Sequence, residues 1–533
     1  MGADDEDQPL GRAARRAAAF PAAANRGAAR RPRVAVVGGG FAGLVAAREL
    51  ALGGAEVTVL ERDDRLGGKL RGERIAAWGG TDDGSDTDTG TDTGAGTDAV
   101  VADLGAEAYA TRGDGVAVLL TELGMIDRIE APRQLGSWAY DSGTAYALPP
   151  GLLGIPARPF SRAARRALGL GGALRAAIEP LLPRAVGRDE RSLGGLVEAR
   201  FGSRVLDRLV RPVARGVYST DPESLPVARV APGLASTLAK GRSLTRAVRA
   251  ANARRTSAGG AVARVGGGMH RLPERLEDEL RELGVAIRLG AEVVEVSGVD
   301  DGWDVHLAGE TIRVDAVLLA VQLPGLVRDP GFDVEVVLLA IEDPRLDAAP
   351  RGTGLLVAGS DRGGPAAKAL THTSAKWRAS AEGLGPGRHL VRLSYGSADW
   401  IPATRGLGDA AVRERAVADA AELLGVELRA GDVREMHRAV WTMPRAAAQD
   451  SGVAGAAAGT AGTVAGSTAP RVPVARTGEA ASGTGLAQVI PHARAAAREL
   501  LAGLSRSAER PPAPGGSPEP STRSESQQRS HTP

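Results

Sequence analysis

Cysteine is absent from this 533-residue chain. Its absence excludes disulfide bonds, thiolate nucleophiles, cysteine-ligated zinc, iron–sulfur clusters and attachment of a cofactor through a cysteine sulfur. Any cofactor is therefore predicted to be bound non-covalently. The seven histidines are scattered, with no pair at metal-ligand spacing, and no GxSxG motif is present. Hence we predict neither a metal site nor a hydrolase.

Long apolar runs and a strong charge bias are also absent. No stretch approaches the roughly 18 apolar residues that suggest a membrane-spanning helix. Residues 1–31 contain four early acidic residues and no apolar core, so they do not resemble a secretory signal. Lysine plus arginine number 66 against 64 for aspartate plus glutamate, which gives no indication of a nucleic-acid partner. We therefore expect a cytoplasmic protein that does not bind nucleic acid.

Four stretches have side chains that are too polar or too small to bury a core, and they divide the chain into ordered blocks. These are the tails 1–31 and 505–533, the insertion 81–98 and the linker 451–470. The alternating Thr, Asp and Gly of the insertion are compatible with a calcium-binding repeat. Because the insertion lacks a regular nine-residue period, we interpret it as a solvated excursion instead.

Two long helical patterns occupy the middle of the chain, at residues 161–182 and 193–213. Arginines are concentrated around the first of them, between Arg158 and Arg191. This basic stretch has two interpretations. One is transient contact with an anionic membrane or an acidic pathway partner, and the other is a solvated helix face.

A glycine fingerprint lies at the start of the first ordered block. The sequence RVAVVGGGFAGLVAAREL (33–50) places GxGxxG directly after a buried strand and at the start of a helix. Gly38 permits the tight turn, Gly40 lets the backbone approach a diphosphate, and Gly43 lets helix and strand pack closely. Glu61 ends the next strand, at the spacing expected of a carboxylate that binds ribose hydroxyls. These residues predict a dinucleotide site within a βαβ unit.

FAD and NAD share this fingerprint, so the sequence after Glu61 distinguishes them. The chain continues ERDDRLGGKL (61–70), with arginine shortly after the acid and then a Gly-Gly pair. This loop resembles the flavin amine oxidase superfamily, in which it lies along the FAD. The cofactor is therefore expected to be FAD.

Five further blocks resemble the oxygen-dependent protoporphyrinogen and coproporphyrinogen III oxidase family, over roughly residues 32–504. They are DLGAEAYATRGDGVAVLLTELG (103–124), FGSRVLDRLVRPVARGVYSTDPESL (201–225), VGGGMHRLPERLEDEL (265–280), LTHTSAKWR (370–378) and TGEAASGTGLAQVIPHARAAARELL (477–501). One segment departs from the family: VWTMPRAAAQDSGVAG (440–455) lacks the Gln-Tyr and Val-Gly-His that follow Met-Pro in relatives.

The resemblance implies an α/β fold with a discontinuous Rossmann-like FAD-binding domain, a mixed-sheet substrate domain and a helical insertion. The expected FAD-binding parts are residues 32–112, 261–321 and 471–504. The helical subdomain is expected at 113–225, and the substrate domain at 226–260 and 322–450.

The same resemblance implies FAD contacts from three regions of the chain. The residues are Gly38, Gly39, Gly40, Phe41, Ala42, Gly43, Glu61, Arg62, Gly68, Lys69, Gly105, Ala106, Glu107, Ala108, Val293, Thr484, Gly485 and Leu486. Of these, Gly105 to Ala108 are expected near the flavin ring. Independently of the family, a helix starting at Gly485 would direct its unpaired N–H groups and positive dipole end at the flavin.

The activity implied is oxidation of a porphyrinogen by FAD in heme biosynthesis, with oxygen as acceptor and hydrogen peroxide as product. Coproporphyrinogen III is favoured, with protoporphyrinogen IX as the alternative substrate. Arg112 is the candidate for binding a substrate propionate, with a solvent-facing arginine as the alternative; no catalytic base is predicted. The competing hypotheses are an amine oxidase or carotenoid desaturase on the same fold, and a flavin-binding pathway partner without turnover.

Overall fold

The computed structural model describes residues 30–78, 100–240, 242–257, 262–299, 302–323, 331–359, 364–445 and 474–509. The predicted insertion 81–98 and linker 451–470 lie outside the described residues, as do 1–29 and 510–533. The last helix continues to Glu509, so the tail predicted from residue 505 begins within that helix.

Five parallel strands form the first sheet, whose spatial order is 3-2-1-4-5 when the strands are numbered along the chain. In that spatial order they are Ala286–Arg288, Glu56–Leu60, Arg33–Val37, Ala316–Leu319 and Ala475–Arg476. All four neighbouring pairs are parallel. Strands whose residues are almost all apolar, such as Arg33–Val37, suit a parallel sheet that is buried on both faces. This arrangement confirms the Rossmann-like part of the predicted fold.

Helices cover one face of this five-stranded sheet, and a three-stranded antiparallel meander covers the other. The helices are Phe41–Leu52, Gly115–Glu122, Arg271–Glu282 and Leu486–Glu509. The meander consists of Val293–Val299, Gly302–Leu307 and Glu310–Val314. Shorter antiparallel strands connect this unit to the rest of the structure. Gly72–Ile75 pairs with Val100–Asp103, and Val262–Val265 pairs with both Tyr109–Ala110 and Ile129–Glu130.

The second sheet has seven strands and is mixed, as predicted for the substrate domain. In spatial order the strands are Val433–Met443, Phe332–Glu342, Arg388–Tyr395, Ala369–His372, Gly354–Val357, Trp138–Asp141 and Thr144–Ala147. Neighbours are antiparallel except for Gly354–Val357 with Trp138–Asp141. Helix Asp409–Leu424 covers one face. The other face packs against Ile75, Ala102 and Leu104, next to the first sheet.

The helical region differs from the predicted subdomain 113–225 in two respects. First, the sequence WAYDSGTAYA (138–147) forms a hairpin that joins the seven-stranded sheet, because Ser142 and Gly143 both adopt positive φ, of 48° and 80°, as a tight two-residue turn requires. Second, residues 226–257, assigned to the substrate domain, form helices Val227–Val230, Pro232–Ala239 and Leu244–Ser257. These pack in the same core as Leu193–Phe201.

Neither long helical pattern forms one uninterrupted helix. The first gives Arg162–Ala177, broken at Gly169 with φ 70° and ψ 170°, and then a 3-10 turn at Glu179–Leu181. The second gives Leu193–Phe201 and then short α and π turns, including π segments at Leu206–Val210 and Ala214–Tyr218. Periodicity alone does not reveal such breaks, since the apolar spacing continues through them. In the described part of the chain, no helix combines the length and the apolar character that crossing a membrane requires.

Candidate functional site

The carboxyl end of the first strand carries the glycine fingerprint in the geometry that the sequence predicted. Gly38 adopts φ 104°, and its N–H donates to the carbonyl of Leu60 at 2.8 Å. A Cβ at Gly43 would lie 1.9 Å from the Gly38 carbonyl oxygen. Only glycine therefore lets helix Phe41–Leu52 start this close to the strand.

Space for a ligand opens at Gly40, the residue that precedes this helix. A Cβ built on Gly40 meets no heavy atom of the described residues within 4 Å. No described side chain caps the helix, and its first turn contains no acidic residue. The first N–H groups of a helix lack partners within the helix, so this end suits an anion such as a diphosphate.

Glu61 stands at the same edge of the sheet, beside the turn. The N–H of Gly39 donates to its Oε2 at 2.6 Å, and the N–H of Asp63 donates to its Oε1 at 3.0 Å. The N–H of Ala291 donates to the Glu61 carbonyl at 2.7 Å, which brings the start of the meander, with buried Val293, alongside. The carboxylate is thus held next to the turn, and its role as a ribose ligand stays a prediction.

The last helix points its N-terminus at this same edge. Glu49 pairs with Arg498 at 2.7 Å and with Arg494 at 3.2 Å, and a Cβ at Gly53 would meet Leu501. Contacts advance from Glu49 to Gly53 at the end of the first helix as they advance from Arg494 to Leu501 along the last one. Helix Leu486–Glu509 therefore runs parallel to helix Phe41–Leu52. Gly485 adopts φ 97°, and its Cβ position has no described heavy atom within 4 Å. A second unobstructed helix end therefore faces the site, flanked by exposed Thr484 and buried Leu486.

The Gly-Gly loop connects the fingerprint to the segment predicted near the flavin ring. Gly67 donates its N–H to the Gly39 carbonyl at 2.9 Å, and a Cβ at Gly68 would lie 3.1 Å from the Cα of Gly40. Ala106 donates to the Lys69 carbonyl at 2.8 Å. The structure thus places residues 67–69 and 105–106 side by side at the mouth of the site.

The ammonium group of Lys69 joins three segments. Its Nζ donates to the Thr442 carbonyl at 2.7 Å and to Glu479 Oε2 at 2.5 Å, and lies 3.3 Å from Met443 Sδ. Strand Val433–Met443 and the turn before the last helix therefore meet at the Gly-Gly loop. Glu479 was not among the predicted site residues.

Glu107 is buried, and four donors hold its carboxylate. Thr373 Oγ1 at 3.0 Å, Lys376 Nζ at 3.1 Å, Trp377 Nε1 at 2.8 Å and Arg392 Nη1 at 3.3 Å surround it. Burial alone would raise the pKa of Glu107, but the charges of Lys376 and Arg392 and the hydrogen bond from Trp377 outweigh it and lower the pKa to about 2. Glu107 is therefore an anionic anchor between this loop and the seven-stranded sheet.

Sequence reasoning missed Arg392, which also donates to the Gly105 carbonyl. It lies on a strand of alternating residues and gives no local signal. Lys376 and Trp377, in contrast, belong to the LTHTSAKWR block, which resembles the family. Trp441 adds a further contact to this loop, since its Nε1 donates to the Leu104 carbonyl at 3.3 Å.

The two arginines predicted as site residues, Arg62 and Arg112, both lie on the surface. The Arg62 side chain is 73% exposed and pairs with Asp63 at 3.5 Å. Arg65 lies deeper, with its guanidinium 3.4 Å from the Leu66 carbonyl and 3.5 Å from that of Gly68. Arg112 is exposed between strand Tyr109–Ala110 and the next helix. The structure therefore gathers the glycine residues, Glu61, Lys69 and Gly485 at one edge but brings Arg65, rather than Arg62, against the Gly-Gly loop.

Comparison with known proteins agrees with this geometry. The family of flavin containing amine oxidoreductases matches residues 41–343. The coproporphyrinogen III oxidase of Mycobacterium leprae is 32% identical over 385 residues, which cover 68% of this chain and 76% of that protein. The coproporphyrinogen III oxidase of Bacillus subtilis is 23% identical over 395 residues, with 68% and 77% covered.

Among solved structures, a protein described as a protoporphyrinogen oxidase from Exiguobacterium sp. 255-15 has the same fold. It superposes with a TM-score of 0.70 at 20% identity, covering 89% of this chain and 99% of that one. The family match spans more than half of the chain, and the mycobacterial relative exceeds 30% identity over two thirds of it. The chain therefore belongs to the flavin-containing amine oxidoreductases, in the branch that contains the coproporphyrinogen III oxidases.

Proposed function

We propose that this chain is an FAD-dependent oxidase that dehydrogenates a porphyrinogen to the porphyrin in heme biosynthesis. Coproporphyrinogen III is favoured over protoporphyrinogen IX, and oxygen is the acceptor. The observation that carries the proposal is the pair of parallel helix ends with open Cβ positions at Gly40 and Gly485, together with the carboxylate of Glu61 at the same sheet edge, in a chain 32% identical to a coproporphyrinogen III oxidase over 68% of its length.

The residues fit FAD better than a smaller flavin. The end of helix Phe41–Leu52 at Gly40 suits the diphosphate, Glu61 suits the adenosine ribose, and Val293 lies beside Glu61 where the adenine would follow. The second helix end, at Gly485, would then face the flavin ring. Binding is non-covalent in this proposal, because no cysteine is available for attachment.

Bound FAD supplies the redox chemistry: it accepts hydride equivalents from the substrate and passes them to oxygen as hydrogen peroxide. Forming the porphyrin removes six hydrogens in three two-electron oxidations, which consume three molecules of oxygen. The chain's own residues would orient the substrate and stabilise charge on the cofactor. The Gly485 helix end would favour negative charge on a bound, reduced ring, the Lys69–Glu479 ion pair holds the Gly-Gly loop against the turn before the last helix, and Arg112 is proposed to bind a propionate of the substrate.

The test combines cofactor titration with turnover. The protein is expected to bind FAD and, in air, to produce porphyrin fluorescence from coproporphyrinogen III faster than from protoporphyrinogen IX, with about three peroxides per porphyrin. Without oxygen, product should stop near one oxidation equivalent per bound flavin.

Gly43→Ala and Gly233→Ala form a matched pair for this test. A Cβ at Gly43 would clash with the Gly38 carbonyl, whereas Gly233 begins an exposed helix turn with no heavy atom of the described residues within 4 Å. We expect Gly43→Ala to lose FAD and turnover, and Gly233→Ala to retain both. A protein that refuses FAD would overturn the proposal. One that binds FAD but oxidises an amine or a carotenoid, or turns over nothing, would support the competing hypotheses instead.

A further inference from the structure

Two cavities lie side by side between the segment 130–135 and helix Arg378–Leu384. The first has a volume of about 700 Å³ and the second a volume of about 410 Å³. Arg133 and Glu382 line both of them, so the two cavities form one cleft, called the arginine cleft below. No residue of the glycine fingerprint or of the Gly-Gly loop lines either cavity. The arginine cleft is therefore separate from the edge of the sheet that is proposed to bind FAD.

Three arginines make the arginine cleft positive. Arg133, Arg378 and Arg388 line it, and within the described residues no acidic side chain pairs with any of the three. Guanidinium groups without a carboxylate partner are free to bind an anion.

The carboxylates of the lining offset only part of this charge. Glu130 is already paired with Arg264, whose Nε lies 2.8 Å from its Oε2, and it accepts from the N–H of Ala379 at 3.0 Å. Asp347 and Glu382 remain against the three guanidinium groups. The lining therefore keeps a net positive charge.

The inner wall of the second cavity is buried and polar. It includes His372, Ser374 and His389, which are 1%, 4% and 5% exposed. Nδ1 of His372 is buried and has no hydrogen-bond partner among the described residues. Burial, together with the charges of His389 and Arg133, lowers the pKa of His372 to about 3, so the imidazole is neutral near pH 7. Polar groups thus remain at the inner wall to receive a polar ligand.

Apolar side chains separate these polar groups. Pro132, Leu135 and Ala379 line the first cavity, and Leu346 and Ala375 line the second. A ligand that matches this pattern carries carboxylates on an apolar body. The guanidinium groups bind its carboxylates through paired N–H donors, and the apolar side chains remove its body from water.

One wall of the arginine cleft is shared with the anchor of the flavin loop. Ser374 lines the second cavity, whereas three of its neighbours in segment 373–377 donate to Glu107. The backbone N–H of Arg133 donates to the Lys376 carbonyl at 2.8 Å. A ligand that displaces this segment must therefore act on the loop that carries Glu107, and a change in that loop must act on the ligand.

We propose that the arginine cleft binds a small organic anion with two carboxylates on an apolar body, and that its binding alters the surroundings of the flavin through segment 373–377. One carboxylate binds in each cavity, where Arg378 and Arg388 are the respective partners and Arg133 stands between them. The binding site does not depend on the proposed activity. Its coupling to the flavin rests on the FAD site proposed above.

Calorimetric titration of the full-length, flavin-loaded protein tests the binding site, with terephthalate as the probe. We expect saturable binding of one terephthalate per chain, and binding at least about tenfold weaker for benzoate, which has one carboxylate. The double variant Arg133→Gln with Arg388→Gln should weaken terephthalate binding by about tenfold or more.

Two single variants serve as controls for the titration. Arg429→Gln changes an arginine whose side chain is 80% exposed and lies outside the cleft, and Arg112→Gln removes the arginine proposed for the substrate. Both should bind terephthalate as the parent does, with unchanged circular dichroism. The binding proposal fails if the parent shows no saturable binding, if inorganic phosphate or benzoate binds as tightly, or if Arg112→Gln alone abolishes the signal.

The absorption spectrum of the bound flavin tests the coupling. Terephthalate should shift the flavin bands of the parent. Trp377→Phe removes one donor to Glu107 but leaves the cleft lining intact, so it should reduce the shift while terephthalate still binds. An unchanged parent spectrum at saturation would refute the coupling. If the protein took up no flavin, the proposed function would fail, but titration of the flavin-free protein would still decide whether the cleft binds terephthalate.

Discussion

Buried charge is arranged differently around the two sheets. Beside the five-stranded sheet, buried ionic groups come in pairs of opposite sign: Arg48 with Glu122 at 2.8 Å, and Arg494 with Glu122 at 2.6 Å and Glu49 at 3.2 Å. In the seven-stranded sheet, Lys368 is buried and donates only to neutral groups in the described part of the chain. The buried charges of this cluster beside the first sheet thus have partners of opposite sign, whereas Lys368 has no such partner in the described part of the chain.

The reason lies in what each sheet packs against. The five-stranded sheet is covered by helices whose long charged side chains meet across their interfaces. The seven-stranded sheet buries Lys368 and the imidazoles of His372 and His389. Nε2 of His372 lies 3.1 Å from Nδ1 of His389. Burial lowers the pKa of Lys368 to about 7, and burial together with His389 and Arg133 lowers the pKa of His372 to about 3. Titration of these groups should therefore report on the seven-stranded sheet.

Glu107 joins the two regions, and its neutralisation should have the largest effect. Glu107→Gln keeps the shape but leaves Lys376 and Arg392 buried without their anion, at a cost of about 3–5 kcal/mol of unfolding free energy. Because the folded-state pKa of Glu107 is lowered, its contribution is full above about pH 4.5 and is lost as pH falls through about 2.

Denaturant unfolding at pH 7 measures the loss. Glu310→Gln, in the exposed pair with Arg288, is the matched control and should leave the midpoint unchanged. If Glu107→Gln unfolded like the control, the anchor between the two regions would be energetically unimportant.

Arg494→Met tests the paired region and should have the next largest effect. It removes one cation from between Glu49 and Glu122, but Arg498 and Arg48 still pair with those carboxylates. The expected loss is therefore smaller, about 2 kcal/mol, measured by denaturant unfolding. The loss should not depend on pH between about 6 and 9, since the cluster contains only carboxylates and guanidinium groups and no histidine or lysine. A strong pH dependence would contradict the contrast between the two sheets.

The fingerprint region was predictable because its determinants are local. Gly38, Gly40, Gly43 and Glu61 act through backbone geometry over one strand–turn–helix, so spacing alone indicates their arrangement. For the seven-stranded sheet, only its mixed type could be predicted, and not the order of its strands. Its strands come from residues 138–147 and 332–443, and pairing across such separations leaves no local pattern.

The same limit applies to the side chains of the site. Arg392 and Glu479 reach the predicted loops from distant segments, at 287 and 410 residues from Gly105 and Lys69 respectively. Glu479 lies within the block 477–501 that resembles the family, but no local pattern indicates that its partner is Lys69, and none near Arg392 indicates Gly105. The resemblance implies Arg62, but sequence distance from Glu61 does not reveal that the loop turns the guanidinium of Arg65 inward.

Lys368→Met should remove the pH dependence of stability that this buried lysine causes. The folded-state pKa of about 7 lies below the ordinary 10.5, so the unfolded state binds more protons between these values. Stability should then rise with pH across that window, by up to about 1.4 kcal/mol per pH unit. Lys368→Met should flatten this slope in unfolding measured from pH 7 to 10. Ser219→Ala, which removes one acceptor but keeps the lysine, should retain it; a slope that survives Lys368→Met would assign the titration elsewhere.

His372→Gln should give the smallest effect, on the acid side. The folded-state pKa of about 3 lies below the ordinary 6.5, so the imidazole favours folding when neutral and stability falls as pH drops from about 6.5 toward 3. Asp347 opposes this shift, while His389 and Arg133 reinforce it. At pH 8, where His372 is neutral in both states, the variant loses at most its hydrogen bond to His389, about 1 kcal/mol. Near pH 4.5 it should be as stable as the parent or more so; if the deficit instead grew on acidification, burial of a neutral His372 would not be what makes this sheet sensitive to acid.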